Sequence, residues 1–133
     1  MRKHVHQQTA ILLRRLATHV NRAARSADPG AVHDLRVAIQ RLSRCLRVFA
    51  EFYPGSGWKK MRCRLKDLMD ACGGVRDRDI ALDLLAKGGF PATSIVVRRL
   101  RLDRAQASRD LLVLLRRWKQ RGAAAQWRAQ LGI

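Results

Sequence analysis

The apolar residues of this chain recur at intervals of three and four residues almost from end to end, and this helical period most constrains the fold. No segment shows a sustained alternation of apolar and polar residues, which is the pattern of a half-buried strand. Proline occurs only at positions 29, 54 and 91, and each proline interrupts the period. The 133 residues therefore predict a single all-α domain, an antiparallel bundle of five or six helices.

Local signals set the expected helix bounds. Asp28-Pro29 predicts a helix start, because Asp caps a helix and Pro is tolerated in its first turn. Gly73-Gly74 predicts a helix end, after which Asp77 would cap a short helix and Asp79 would lie in its first turn. Thr93 or Ser94 should cap the last long helix. The expected spans are 4–25, 29–53, 58–72, 77–86, 94–119 and 123–131.

The charge of the chain is far from balanced. Lys and Arg number 28 and Asp and Glu number 10, which gives a net charge of +18. A small domain typically carries a charge of about 2–8 in magnitude, and self-repulsion at +18 destabilises the compact state. A polyanionic partner is the leading explanation, since a hydrophobic content of 47% argues against disorder.

The sequence favours a cytoplasmic protein. No apolar run approaches the roughly 20 residues of a bilayer span, and no secretory leader pattern is visible, so we expect no membrane association. The three cysteines (Cys45, Cys63 and Cys72) are odd in number and lack a short paired spacing. Free thiols in a reducing compartment are the simplest interpretation.

The predicted second helix separates into an apolar side and a basic side. The apolar stripe follows helical steps through Leu35, Ala38, Ile39, Leu42, Cys45, Leu46 and Phe49. The opposite stripe contains no carboxylate and consists of His33, Arg36, Gln40, Arg44 and Arg47. From His33 to Arg47 it spans roughly 21 Å, which suits an extended polyanion better than a single phosphate. A solvated basic face is the alternative, although such faces usually mix both signs.

Two further helices repeat this pattern. Lys59, Arg62 and Lys66 share one side of the third helix, and Arg98, Arg109 and Arg116 share one side of the last long helix. Three basic helix sides facing one groove would form an extended anion-binding surface.

The chain resembles the CHAD domain, the conserved histidine α-helical domain. The resemblance rests on two blocks, His33-Asp34-Leu35-Arg36-Val37-Ala38 with its continuation to Phe49, and Leu65-Lys66-Asp67-Leu68 with Gly74-Val75-Arg76-Asp77-Arg78-Asp79-Ile80. It implies a helical bundle that binds inorganic polyphosphate, associates with polyphosphate granules, and has no enzymatic activity. It also implies ligand-binding roles for His33, Arg36, Arg41, Arg47 and Lys66. With the remaining basic residues, the candidate polyphosphate site comprises His33, Arg36, Arg41, Arg44, Arg47, Lys59, Arg62 and Lys66.

The chain departs from the family pattern in two respects. Gln40 and Ser43 stand where members of the family often carry Arg, while Arg44 supplies a cation nearby. Typical members hold two related bundles, each with its own histidine motif, whereas this chain has one motif and resembles the first half. We therefore expect it to be a stand-alone half, a fragment, or a homodimer that completes the groove.

Other functions remain open from the residues alone. The same charge would serve an RNA- or DNA-binding protein, or a helical adaptor for acidic proteins, although no helix-turn-helix, zinc-finger or RNA-binding sheet signature is present. We expect no enzyme, no cofactor and no metal, because the chain lacks a phosphate-binding glycine loop and a carboxylate cluster. Asp77 and Asp79 would suit acid–base chemistry, but helix capping explains them more simply. His33 is either a ligand to phosphate or a structural hydrogen-bond donor.

Overall fold

Five α-helices and one 3-10 turn make up the fold, and the chain contains no strand. The computed structural model describes residues 1–133. The helices are α1 (Arg2–Arg25), α2 (Pro29–Val48), α3 (Gly57–Lys87), α4 (Ile95–Gln120) and α5 (Ala123–Leu131), and the 3-10 turn is Ala50–Phe52. The all-α prediction is confirmed. None of these helices combines the length and the apolar character needed to cross a membrane.

The four long helices form an antiparallel ring around one core. Each packs against the next along the chain, and α4 closes the ring against α1. The core takes one stripe from each helix, with the largest fully buried side chains being Leu13, Leu16, Leu35, Ile39, Leu42, Leu46, Met61, Leu65, Leu111 and Leu115. Helix α5 covers the end of the ring at which α1 begins and α4 ends. Trp127 of α5 meets Trp118 of α4 edge to face there, with ring centroids 5.6 Å apart.

Two predicted helix caps are present as expected. The Asp28 carboxylate accepts a hydrogen bond from the Ala31 N–H at 2.8 Å, and this bond lowers the pKa of Asp28. Ser94 Oγ accepts from the Val97 N–H at 3.3 Å, so Ser94 is the cap of α4. Both side chains satisfy an N–H group that the first helical turn leaves unpaired.

The predicted extension of the second helix to Tyr53 is wrong. Helix α2 ends at Val48 and the chain tightens into the 3-10 turn. The Tyr53 side chain is buried, its hydroxyl lies 2.7 Å from Thr9 Oγ1 of α1, and burial raises the pKa of Tyr53. His6 Nε2 also lies 2.8 Å from the Phe52 carbonyl oxygen. Anchoring this segment against α1 draws the chain away from the α2 axis.

The predicted break at Gly73-Gly74 is also wrong, because α3 continues through both glycines to Lys87. Glycine inside a helix costs only about 1 kcal/mol, which the buried neighbours Cys72 and Val75 outweigh. Asp77 is therefore an exposed residue within α3 rather than a cap. Asp79 is likewise not in a first turn; it forms an ion pair with Arg104 of α4 at 2.9 Å.

Candidate anion-binding groove

A groove of about 720 Å³ lies between α2 and α3, on the outer side of the bundle. Its floor is apolar and includes Ile39, Leu65 and Met69. Its polar lining is Gln40, Ser43, Arg44 and Arg47 from α2 and Lys59, Arg62, Cys63 and Lys66 from α3. The groove exists because the antiparallel packing of α2 and α3 sets the basic side of one helix beside the basic side of the other.

The groove is strongly cationic. Five cations line it and no carboxylate does. The chain forms four ion pairs, Arg22–Asp34, Lys87–Asp83, Arg99–Asp103 and Arg104–Asp79, and none of them involves a groove residue. All five charges of the groove, those of Arg44, Arg47, Lys59, Arg62 and Lys66, are thus free to bind an external anion.

Local contacts hold part of this lining in place. Arg62 is half-buried and its Nε donates to Ser43 Oγ at 3.3 Å, which joins the two walls of the groove. Lys59 Nζ lies 5.6 Å from the centre of the Trp58 ring, within the range of a cation–π contact. Arg44, Arg47 and Lys66 are exposed and make no side-chain hydrogen bond within the protein. These three remain adaptable to a ligand.

The structure brings seven of the eight predicted site residues to two places. Five line the groove. His33 and Arg41 instead line a smaller cleft of about 400 Å³ between α1 and α2. The stripe predicted from His33 to Arg47 therefore does not lie in the groove along its whole length. Along α3, the groove extends from Trp58 to Met69, a distance of about 17 Å.

The smaller cleft contains two residues that the sequence interpretation missed. Arg15 and His19 of α1 face His33 and Arg41, and His19 Nδ1 is buried without a hydrogen-bond partner. Asp34 also lines this cleft, and its carboxylate pairs with Arg22. The short connection between α1 and α2 predicts this neighbourhood, because it makes the two helices antiparallel and places Arg15 opposite Arg41.

Arg36 lies in neither place. It is half-buried, and its Nε is buried without a hydrogen-bond partner. It lies close to the buried Cys72 of α3: burial raises the pKa of this thiol to about 12, and the Arg36 charge partly opposes the shift. Arg36 thus belongs to the α2–α3 packing near one end of the groove.

Helix α4 contributes nothing to this groove. Arg98, Arg109 and Arg116 are exposed, but none of them is among the lining residues, so the basic sides of three helices do not face one groove. No group of three or more His, Cys, Asp or Glu side chains comes together in a way that would hold a metal ion. All three cysteines are free thiols.

The family model described as the CHAD domain matches residues 7–132, which is nearly the whole chain. No curated protein sequence and no solved structure gives a significant match.

Proposed function

Because this chain belongs to the CHAD-domain family, we propose that it is an inorganic polyphosphate-binding module whose ligand lies in the α2–α3 groove. The CHAD domain is associated in general with polyphosphate binding. The observation that carries the proposal is a groove with five cations, no carboxylate and no internal ion pair. A linear polyanion is the ligand that matches such a row of like charges.

Binding would be electrostatic and geometric together. Each cation that replaces a condensed counterion of the polyanion releases that ion, so the affinity falls as salt rises. The guanidinium groups of Arg44, Arg47 and Arg62 supply planar forks that match phosphate oxygens, whereas Lys59 and Lys66 act as point charges. The Arg62–Ser43 bond lowers the conformational entropy that Arg62 loses when it binds.

We propose a binding role without catalysis. The lining of the groove contains no His, Asp or Glu, and these are the side chains that most often serve as general bases. Retention of long polyphosphate would bring the protein to polyphosphate granules, and we propose this association as the cellular consequence of binding.

Single-stranded nucleic acid is the second candidate ligand. One observation favours it: Trp58 is half-buried in the groove wall, and single-strand binders stack bases on aromatic side chains. Trp58 is the only aromatic residue in the lining, however, and successive bases need several such platforms. The groove thus suits a ligand made of phosphates better than one made of nucleotides.

A competition assay tests this proposal. Labelled long-chain polyphosphate is displaced by unlabelled polyphosphate, short oligophosphate, ATP, orthophosphate or single-stranded RNA at several salt concentrations. Long polyphosphate should compete best, and ATP and orthophosphate should compete poorly because they occupy little of the groove, which is about 17 Å long. Single-stranded RNA should compete less well than long polyphosphate at every salt concentration, because its phosphates are more widely spaced. Equal competition by ATP and long polyphosphate, or stronger competition by RNA, would contradict the proposal.

A further inference from the structure

The end of the α3–α4 hairpin extends beyond α1 and α2 and is covered by neither. Arg104 marks the limit, since its guanidinium donates both to Asp79 and to the Ala27 carbonyl oxygen in the α1–α2 connection. Residues 80–103 lie beyond this point, and we call them the hairpin tip. Nine large apolar side chains of the protein are exposed, and six belong to the tip, namely Ile80, Leu84, Phe90, Ile95, Val96 and Leu102. Of these six, Ile80 and Leu84 form the exposed apolar pair on α3, and this pair is the candidate interaction surface.

In the hairpin tip, the exposed side of α3 continues the side that packs against α2 nearer the N-terminus of α3. Because Ser43 lies opposite Arg62, moving fourteen residues along both helices brings Pro29, the first residue of α2, level with Arg76. Beyond Arg76, toward its C-terminus, α3 has no neighbouring helix on this side. Ile80 and Leu84 lie one turn apart here, 46% and 64% exposed. A second helix packed along Ile80 and Leu84 would occupy the position that α2 would fill if it extended further at its N-terminus.

We propose that this helix is α3 of a second copy of the chain, packed antiparallel about a two-fold axis level with Leu82. Such a pairing sets Ile80 against the partner's Leu84 and Leu84 against the partner's Ile80. It is self-complementary, as a symmetric dimer requires.

The charges around this strip favour a second copy. Asp77 and Lys87 lie five residues on either side of Leu82, so antiparallel pairing brings Asp77 level with the partner's Lys87 at both ends. Asp77 is exposed and forms no ion pair within the chain, and Lys87 holds only the exposed Asp83. The tip contains four basic and two acidic side chains, so it carries only +2 of the total of +18. Two strongly basic molecules repel least when they meet at this end.

Sedimentation equilibrium at physiological salt tests the dimer. The wild-type protein should approach twice the chain mass of 15.1 kDa as its concentration rises. The double variant Ile80→Asp/Leu84→Asp should remain at the chain mass, because four like charges would meet across the axis. The matched control is Ile95→Asp/Leu102→Asp, which makes the same charge change on exposed residues of α4 and should still dimerise.

A charge exchange tests the register. Asp77→Lys should weaken dimerisation by tenfold or more, and Asp77→Lys/Lys87→Asp should restore it. Circular dichroism of each variant checks that the helices remain formed. A wild-type protein that stays monomeric at its highest soluble concentration would overturn the proposal. So would a dimer that survives the α3 substitutions or is lost in the α4 control. No groove residue is altered, so this outcome is independent of polyphosphate binding.

Discussion

At the scale of single residues, burial separates the two sides of α2. Leu42 is fully buried, whereas Arg44, two positions on, is exposed in the groove. Burial of an apolar side chain stabilises the fold, and an exposed cation in a basic groove does not. Stability and binding should therefore depend on different residues of one helix.

Substitutions at Leu42 and Arg44 should affect different properties, the first the stability of the fold and the second the affinity for polyphosphate. Leu42→Ala should destabilise the protein by about 2–5 kcal/mol through lost burial and the cavity left behind. Arg44→Gln should change stability by no more than about 0.5 kcal/mol but should weaken polyphosphate binding. Thermal melts with and without polyphosphate measure both effects. Ligand should raise the melting temperature of Leu42→Ala, since binding to the folded state stabilises it.

A different pattern would reassign these side chains. If Arg44→Gln lowered the melting temperature of the free protein as much as Leu42→Ala, Arg44 would be structural. If it kept the full wild-type shift with polyphosphate, Arg44 would not be a ligand residue.

At the scale of elements, sequence patterns predicted the helices better than their ends. The cap Asp28 was correctly predicted, and Ser94 is one of the two residues expected to cap α4, because a cap is a local contact within one turn. The end of α2 was not, since it depends on the contact of Tyr53 with Thr9, 44 residues away. The break at Gly73-Gly74 failed for the same reason, because tertiary packing on both sides of α3 outweighs the weak helix preference of glycine.

The continuity of α3 predicts an unusual response to alanine. Gly73 has helical backbone, and a Cβ there would meet nothing within 4 Å. Gly73→Ala should therefore raise the free energy of unfolding by about 0.5–1 kcal/mol. Gly122 is the control, because its φ of 59° lies in the left-handed region, and Gly122→Ala should destabilise by about 1 kcal/mol. Denaturant unfolding measures both. A destabilised Gly73→Ala variant would indicate a helix end at this point.

The Asp79–Arg104 ion pair should contribute more to the stability of the fold than a fully exposed ion pair does. The two side chains are 22% and 24% exposed, and Arg104 also donates to the Ala27 carbonyl oxygen at 2.6 Å, so one guanidinium ties α3 and α4 to the α1–α2 connection. Asp79→Asn should cost about 1 kcal/mol. Asp70→Asn, an exposed position on the same helix without an ion pair, should cost little. Equal denaturation midpoints for both variants would exclude this linking role.

The site shows the same limit of sequence reasoning. The basic stripes of α2 and α3 were found from residue periodicity, and five of the eight predicted residues do line one groove. Which neighbour each cation faces depends on how the helices pack, and the period alone does not report this. His33 and Arg41 consequently face α1, with Arg15 and His19 as their neighbours.

At the scale of the whole molecule, the charge is unevenly distributed. The half that contains the groove and α5, residues 1–13, 38–72 and 107–133, holds 16 basic and 4 acidic side chains. The opposite half, with the hairpin tip, holds 12 basic and 6 acidic side chains. The field therefore steers a polyanion toward the groove half. Electrostatic repulsion between two copies is weaker at the other half, which is therefore the more favourable place for self-association.

The central claim is that polyphosphate binds in the α2–α3 groove rather than to the basic surface in general. The most direct test is the salt dependence of polyphosphate affinity in two triple variants of equal charge. Arg44→Gln/Arg47→Gln/Lys66→Gln removes three of the five groove cations, and Arg98→Gln/Arg109→Gln/Arg116→Gln removes three exposed cations of α4. The groove variant should lose most of the affinity, and the slope of log affinity against log salt should become shallower by about 2–3. The α4 variant should keep a near-wild-type slope. Equal losses in the two variants would contradict the claim, because binding would then follow net charge alone.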